Sequence, residues 1–170
     1  IGNIGRGPGE YNRGSEFAID KETGAVYVCE RGNIIKVYSK TGEYLRSISL
    51  QEYGGSVDEI ELYNSKLFAS YNLQYNDAKY EWIILDTLGN LIKKKERTIP
   101  TFRSNYLAGG GTYIFEQKLN YWNQFIDTVF SISPDFTYNP TFVFSQGEYR
   151  LPKSYVVDPI KQLSQYMTIE

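Results

Sequence analysis

Apolar and polar residues alternate along this chain in short runs, and the runs come in pairs closed by turn-forming residues. "VYSKTGEYLRSI" around Gly42, "ILDTLGNLIKKK" around Gly89 and "SISPDFTYNPTF" around Phe136 are three such pairs, each 47 residues after the last. A run with period two puts successive side chains on opposite faces, so two runs about a Ser/Asp/Pro/Thr/Gly turn predict a β-hairpin. The third pair carries Phe136 where the others carry glycine. Two further strand-like runs precede each hairpin: "EFAID" and "AVYVCER", then "VDEIELY" and "KLFASYN", then "SNYLAG" and "TYIFEQK". The predicted unit is four antiparallel strands, over roughly residues 15–50, 57–97 and 104–145.

A second, longer echo supports the period. "GEYNRGSEFAID" returns as "GEYRLPKSYVVD", pairing Glu10 with Glu148, Tyr11 with Tyr149, Phe17 with Tyr155 and Asp20 with Asp158, all 138 residues apart, which is three steps of 46. The runs "KSYVVD" and "QYMTIE" then start a partial fourth unit at 153–170. Within it, "DPIKQLSQYM" reads as a short helical insertion, with Asp158 as cap, Pro159 in the first position and Ile160, Leu163 and Met167 on one face. Four antiparallel strands every 40 to 50 residues is the arithmetic of a β-propeller blade, whereas helical repeats need amphipathic helices that this chain lacks. The expected fold is all-β: one partial propeller domain over 1–170, an incomplete ring of four-stranded blades.

Composition agrees. Sixteen Tyr and nine Phe against a single Met enrich the chain in strand formers. A net charge of −2 gives no long-range positive field, so nucleic acid is not an expected partner. No run approaches the roughly 18 apolar residues of a membrane span, so membrane insertion is not expected either. With no His and one Cys, Cys29, the chain cannot assemble a zinc cluster or a thiol-imidazole pair, and no cofactor is expected. Cys29 alternates with Tyr27 in "VYVCE" and reads as a packed strand residue.

The first unit, "GAVYVCERGNIIKVYSKTGEYLRSI", resembles an NHL-type propeller repeat, and "IGRGPGEY" is similar to the loop joining consecutive blades in bacterial six-bladed propellers of that kind. The later units share only the spacing. The resemblance implies an inner strand beside a central channel, an outer strand at the rim, six blades, and export to the periplasm or cell surface. Since 170 residues hold fewer than four units of 46, the chain is expected to be a fragment of a larger propeller.

The loop "IGRGPGEY" is then a crossing between blades, in which Gly5, Gly7 and Gly9 are expected to supply positive φ and Pro8 to stiffen the turn. It is not read as a phosphate loop, because no strand precedes it and no Gly-Lys-Ser/Thr occurs. Arg6, Glu10 and Tyr11 are expected to tie blade to blade. "KKKER" (93–97) falls on an outer strand, where lysines deter edge pairing. Asp20, Asp58, Glu59, Glu61 and Asp158 lie near inner strands and offer oxygen ligands for calcium or magnesium, but their spacing fits no binding loop and they read as solvated charges.

Candidate recognition residues come from geometry. In an antiparallel four-stranded blade, the second-to-third connections share a face with the crossings. Two of those connections, "YNLQYNDAKYEW" and "KLNYWNQFID", mix aromatic rings with Asn and Gln. Tyr71, Tyr75, Tyr80, Tyr121, Trp122 and Phe125 are the candidate ligand-binding residues, since rigid rings supply contact area and amides supply hydrogen bonds to a sugar or polypeptide. Trp82 reads as core. The expected function is a non-catalytic binding or scaffold module, recognising protein or carbohydrate through that aromatic loop face. The alternative is a propeller lyase or hydrolase whose catalytic residues lie in other blades, and some propellers of the resembled kind are such enzymes.

Overall fold

The computed structural model describes residues 4–5, 7, 9–73, 78–98, 110–123, 127–145 and 147. These form three four-stranded antiparallel sheets, each hydrogen-bonded in chain order. The first contains β1 (Gly14–Ile19), β2 (Val26–Glu30), β3 (Ile34–Tyr38) and β4 (Tyr44–Ser49). The second contains β5 (Val57–Tyr63), β6 (Lys66–Tyr71), β7 (Tyr80–Leu85) and β8 (Leu91–Glu96). The third contains β9 (Gly110–Phe115), β10 (Lys118–Asn123), β11 (Thr128–Ile132) and β12 (Tyr138–Val143). One 3₁₀ turn, Gln51–Tyr53, lies between the first two sheets, and no described helix is long and apolar enough to cross a membrane. The chain divides into two compact units, Ile1–Tyr71 with Asp77–Glu96 and Asn72–Asn76 with Arg97–Glu170. The partial fourth unit, its helical insertion, Asp158 and the run "SNYLAG" fall outside the described residues.

The 47-residue step is exact in the turns between third and fourth strands. Ser39 N–H donates to Glu43 O while Gly42 N–H donates to Ser39 O; Asp86, Asn90 and Gly89 repeat the pattern, as do Ser133, Thr137 and Phe136. The closing residue is left-handed each time, with φ of 88° at Gly42, 100° at Gly89 and 62° at Phe136. This is a type I turn followed by one left-handed residue, a common three-residue hairpin loop. A bulge follows: the ladder passes over Leu45 in the first sheet and over Ile92 in the second. In the third sheet the irregularity moves further along β12, past Thr141.

The third sheet departs from expectation in its first two strands. "TYIFEQK" is not one strand. Glu116 and Gln117, with φ of 48° and 58°, form a two-residue turn that ends β9 and starts β10. Asn64 and Ser65 do the same in the second sheet, at 49° and 54°. Mirror-image turns of this kind match strand twist but require positive φ, and without Gly or Asn at 116 and 117 the signal is weak. "KLNYWN" is consequently a strand and not an insertion, so Tyr121 and Trp122 lie on β10.

Within the first unit, one face of the first sheet buries Ala18, Tyr27, Cys29, Ile35, Val37 and Ile48. Each such aliphatic side chain contributes about 1.5–3 kcal/mol when fully buried. This face meets the second sheet: Arg46 donates to Thr87 O from Nη2 at 2.6 Å, and the tip glycine Gly89 leaves no room for a Cβ beside Ile48. β1 and β5, the first strands of the two sheets, lie side by side. The crossing between them is latched by Asn33 in the β2–β3 turn. Its side-chain carbonyl accepts the Val57 N–H at 3.1 Å, its amide donates to Gly55 O, and its backbone carbonyl accepts from Leu50 N–H at 2.8 Å.

Candidate functional site

The second-to-third connections and the crossings do share one end of the sheets in the first unit. Tyr53, in the crossing, packs edge-on against Tyr80 at the start of β7, with ring centroids 6.1 Å apart. Lys94 holds Tyr80 from β8, donating to its hydroxyl at 3.0 Å with Nζ 4.6 Å from the ring centre. Both the Tyr80 hydroxyl and Glu96 raise the Lys94 pKa, so the cation persists. Lys79 donates to Glu52 O at 3.0 Å, and Gly55 abuts Ala78. Burial, then Glu52, pushes the Tyr53 hydroxyl up to about 12, and burial raises that of Tyr71 further.

The six candidate residues therefore divide. Tyr71 is 1% exposed and its hydroxyl has no hydrogen-bond partner among the described residues, so it is core. Tyr80 is half-buried. In the second unit Tyr121 is also 1% exposed, accepting from Asn123 at 3.4 Å, while its neighbour Trp122 is half-buried. Gly110, opposite Asn123 in the ladder, is held to glycine because a Cβ there would sit 2.5 Å from the Trp122 carbonyl. Tyr75 and Phe125 lie outside the described residues. Trp82, 1% exposed, is core as expected.

Of the inner-strand carboxylates, Asp158 lies outside the described residues, and among the described residues no group of three His, Cys, Asp or Glu able to hold an ion occurs. Asp20 closes its own turn, accepting from Thr23 Oγ1 at 2.6 Å and from Glu22 N–H at 3.0 Å, and the Thr23 hydroxyl lowers its pKa. Glu16 on β1 faces Glu59 and Asp58 on β5, and burial followed by those two charges raises its pKa. Burial also raises Glu61, against the pull of Lys21.

The glycine-rich crossing folds back across the other face of the first sheet. Gly9 alone of its three glycines has positive φ, at 78°. Gly5 and Gly7 are needed for a different reason: the Glu10 carboxylate is lodged against them, accepting the Gly7 N–H at 2.8 Å, and a Cβ on Gly5 would overlap it. Lys36 donates to Glu10 O and lies 3.4 Å from Glu30, whose Oε1 also accepts the Asn12 N–H at 2.7 Å. Between this loop and strands β2 to β4 runs a groove of about 690 Å³. Sequence reasoning missed it. Its one legible sign is Lys36, a charge inside the apolar run "IIKVY" where the next copy has Ile83.

Blade-like sheets in chain order, turns repeating every 47 residues and adjacent first strands are the features of a β-propeller, and the chain is of that fold class. Residues 1–169 match the family described as domain of unknown function DUF4934, and the chain belongs to it. No curated protein matches the chain. Among solved structures it is similar to a candidate exported protein of Bacteroides fragilis, at 21% identity and a TM-score of 0.64 over 85% of this chain and 41% of that one. It is similar to BamB from Moraxella catarrhalis, at 12% identity and a TM-score of 0.53 over 79% of this chain and 37% of that one. A third likeness is to virginiamycin B lyase from Staphylococcus aureus, at 13% identity and a TM-score of 0.53 over 77% and 41%. The chain thus spans about two fifths of the length of these structures.

Proposed function

We propose that this chain is part of an exported, non-catalytic propeller that recognises protein or glycan at the sheet ends where second-to-third connections emerge. The observation that carries this reading is Tyr80, a half-buried ring on a strand end, held by contacts with both Tyr53 and Lys94. An aromatic fixed in this way offers area to a ligand with little further loss of rotamer freedom. Trp122, half-buried at the corresponding end of β10 in the other unit, offers a second such ring. Tyr75 and Phe125 belong to the same connections by sequence. Export is supported by the likeness to the Bacteroides fragilis protein, and a single NHL-like array over 1–170 by the 47-residue step.

The test is a glycan and peptide array probed with the native chain and with Tyr80→Ala, Tyr75→Ala and Trp122→Ala. Loss of one anchoring ring costs about 1.4 kcal/mol or more, a tenfold loss of affinity, with circular dichroism unchanged. Undiminished binding in the triple variant sinks the reading.

A further inference from the structure

Beneath the Tyr53–Tyr80 ring pair lies a polar group that the fold does not use. Tyr71, the last residue of β6, is 1% exposed, and its hydroxyl has no hydrogen-bond partner among the described residues. The groups that act on that hydroxyl are Tyr53 first, then Cys29, Tyr80 and Glu52. Cys29 belongs to the first sheet and Tyr53 to the crossing, so the hydroxyl faces the seam between the first two sheets, under the segment that joins them. A buried hydroxyl without a partner is costly, and native structures keep few of them without a reason. Phenylalanine would fill the same space at no such cost.

The cover over Tyr71 is built as a lid. Tyr53, 8% exposed, is carried by the single 3₁₀ turn Gln51–Tyr53, whose other two residues are exposed. Asn33 pins the turn at both ends, through Leu50 N–H and Gly55 O, and Gly54 and Gly55 follow it with φ of 70° and 71°. Against the second sheet the turn is held by the Tyr53 ring edge on Tyr80 and by the Lys79 ammonium, which donates to Glu52 O at 3.0 Å. These are side-chain contacts and not ladder bonds, so the turn is free to lift between its pinned ends, with Gly54 absorbing the change in backbone angles.

We propose that this turn is a lid over an acetamido subsite: an N-acetylated sugar bound at Tyr80 displaces the Tyr53 ring, and its acetamido carbonyl accepts the Tyr71 O–H. The inference rests on the reading of this end as a recognition surface and names the sugar it takes. The tyrosine rings, with buried Leu73 and Ala78 on the same connection, make apolar walls around a single donor, which suits a methyl group beside one carbonyl. Glu52, exposed on the lid, offers a carboxylate to the acetamido N–H. A plain hexose would place a hydroxyl there, satisfying the donor but burying its own proton without an acceptor. A peptide would bring backbone amides, and the neighbouring strand ends, Val57 with Tyr71 and Tyr80 with Glu96, already use theirs in the ladders.

The probes are chitotriose and cellotriose, which differ in the acetamido groups, with acetyl-Ala-Ala-amide as the peptide arm, each titrated to millimolar concentration into the ¹⁵N-labelled native chain. Chitotriose should shift the amides of Glu52, Tyr53 and Gly54 saturably and bind at least tenfold tighter than cellotriose. Tyr71→Phe keeps the ring and removes the hydroxyl. It should bring chitotriose down to the affinity of cellotriose with no loss of melting temperature, a combination that a merely packed tyrosine would not give. Tyr80→Ala should weaken both sugars, so the ring and the hydroxyl are read separately. Equal affinity for the two sugars, unchanged chitotriose binding by the Tyr71→Phe chain, or tighter binding of the peptide overturns the acetamido subsite and leaves the recognition surface standing. Failure of every array glycan and peptide to bind removes both.

Discussion

Phe136 is the residue that the repeat handles least comfortably. It occupies the left-handed position that Gly42 and Gly89 occupy in the other two turns, and a side chain there costs about 1–2 kcal/mol. Phe136→Gly should therefore raise the unfolding free energy read from urea denaturation, by about 1 kcal/mol at most after the loss of ring contacts, whereas Gly42→Ala should lower it. Stabilisation by Gly42→Ala would contradict the assigned turn. A second residue, Glu16, carries a pH effect. Burial and the charges of Glu59 and Asp58 raise its pKa above the ordinary 4.5, so the native state resists its ionisation. The sign follows from proton linkage: the native state holds the proton more tightly, so this penalty is complete above the raised value and fades as pH falls through it towards 4.5. Glu16→Gln should be more stable than the native chain at pH 7, and the gap should close near pH 4, as read from melting temperatures at the two values.

The strands themselves show which local signals speak plainly. Hairpins with Gly42 and Gly89 were readable because glycine marks positive φ, and the third followed from spacing alone. The turn at Glu116–Gln117 was not readable, since neither residue advertises left-handed backbone. Missing it displaced two strands and made a loop of β10. The aromatic candidates suffered for the same reason: alternation along β10 sends Tyr121 to one face and Trp122 to the other, and only placement on a strand separates a buried ring from an accessible one. Between elements, Asn33 does the work of connection. Asn33→Gly keeps its φ of 61° but removes the side chain that holds Val57 N–H and Gly55 O, and leaving those groups unpaired should cost about 2–4 kcal/mol in chemical denaturation. A cost below 0.5 kcal/mol would mean that water replaces both bonds.

At the scale of the molecule, the architecture was legible because a period is a global property that survives local errors. A step of 46 or 47 residues and four strands per step lead to propeller blades whether or not each strand is bounded correctly. The groove had no such redundancy. It arises because a loop of the chain lies back over a sheet, with Glu10 seated in Gly5 and Gly7 and Lys36 reaching the loop's own carbonyl, and no periodic pattern encodes that return. Gly5 and Gly7, taken to serve turning, serve close approach instead.

The latch at Asn33 reaches further than its own three bonds. It joins the interior turn of one sheet to the first residue of the next, so neither can lose order without releasing polar backbone groups of its neighbour. Pulled apart, these two sheets would yield in coupled steps, and the force needed to open the second would depend on whether the first still stood.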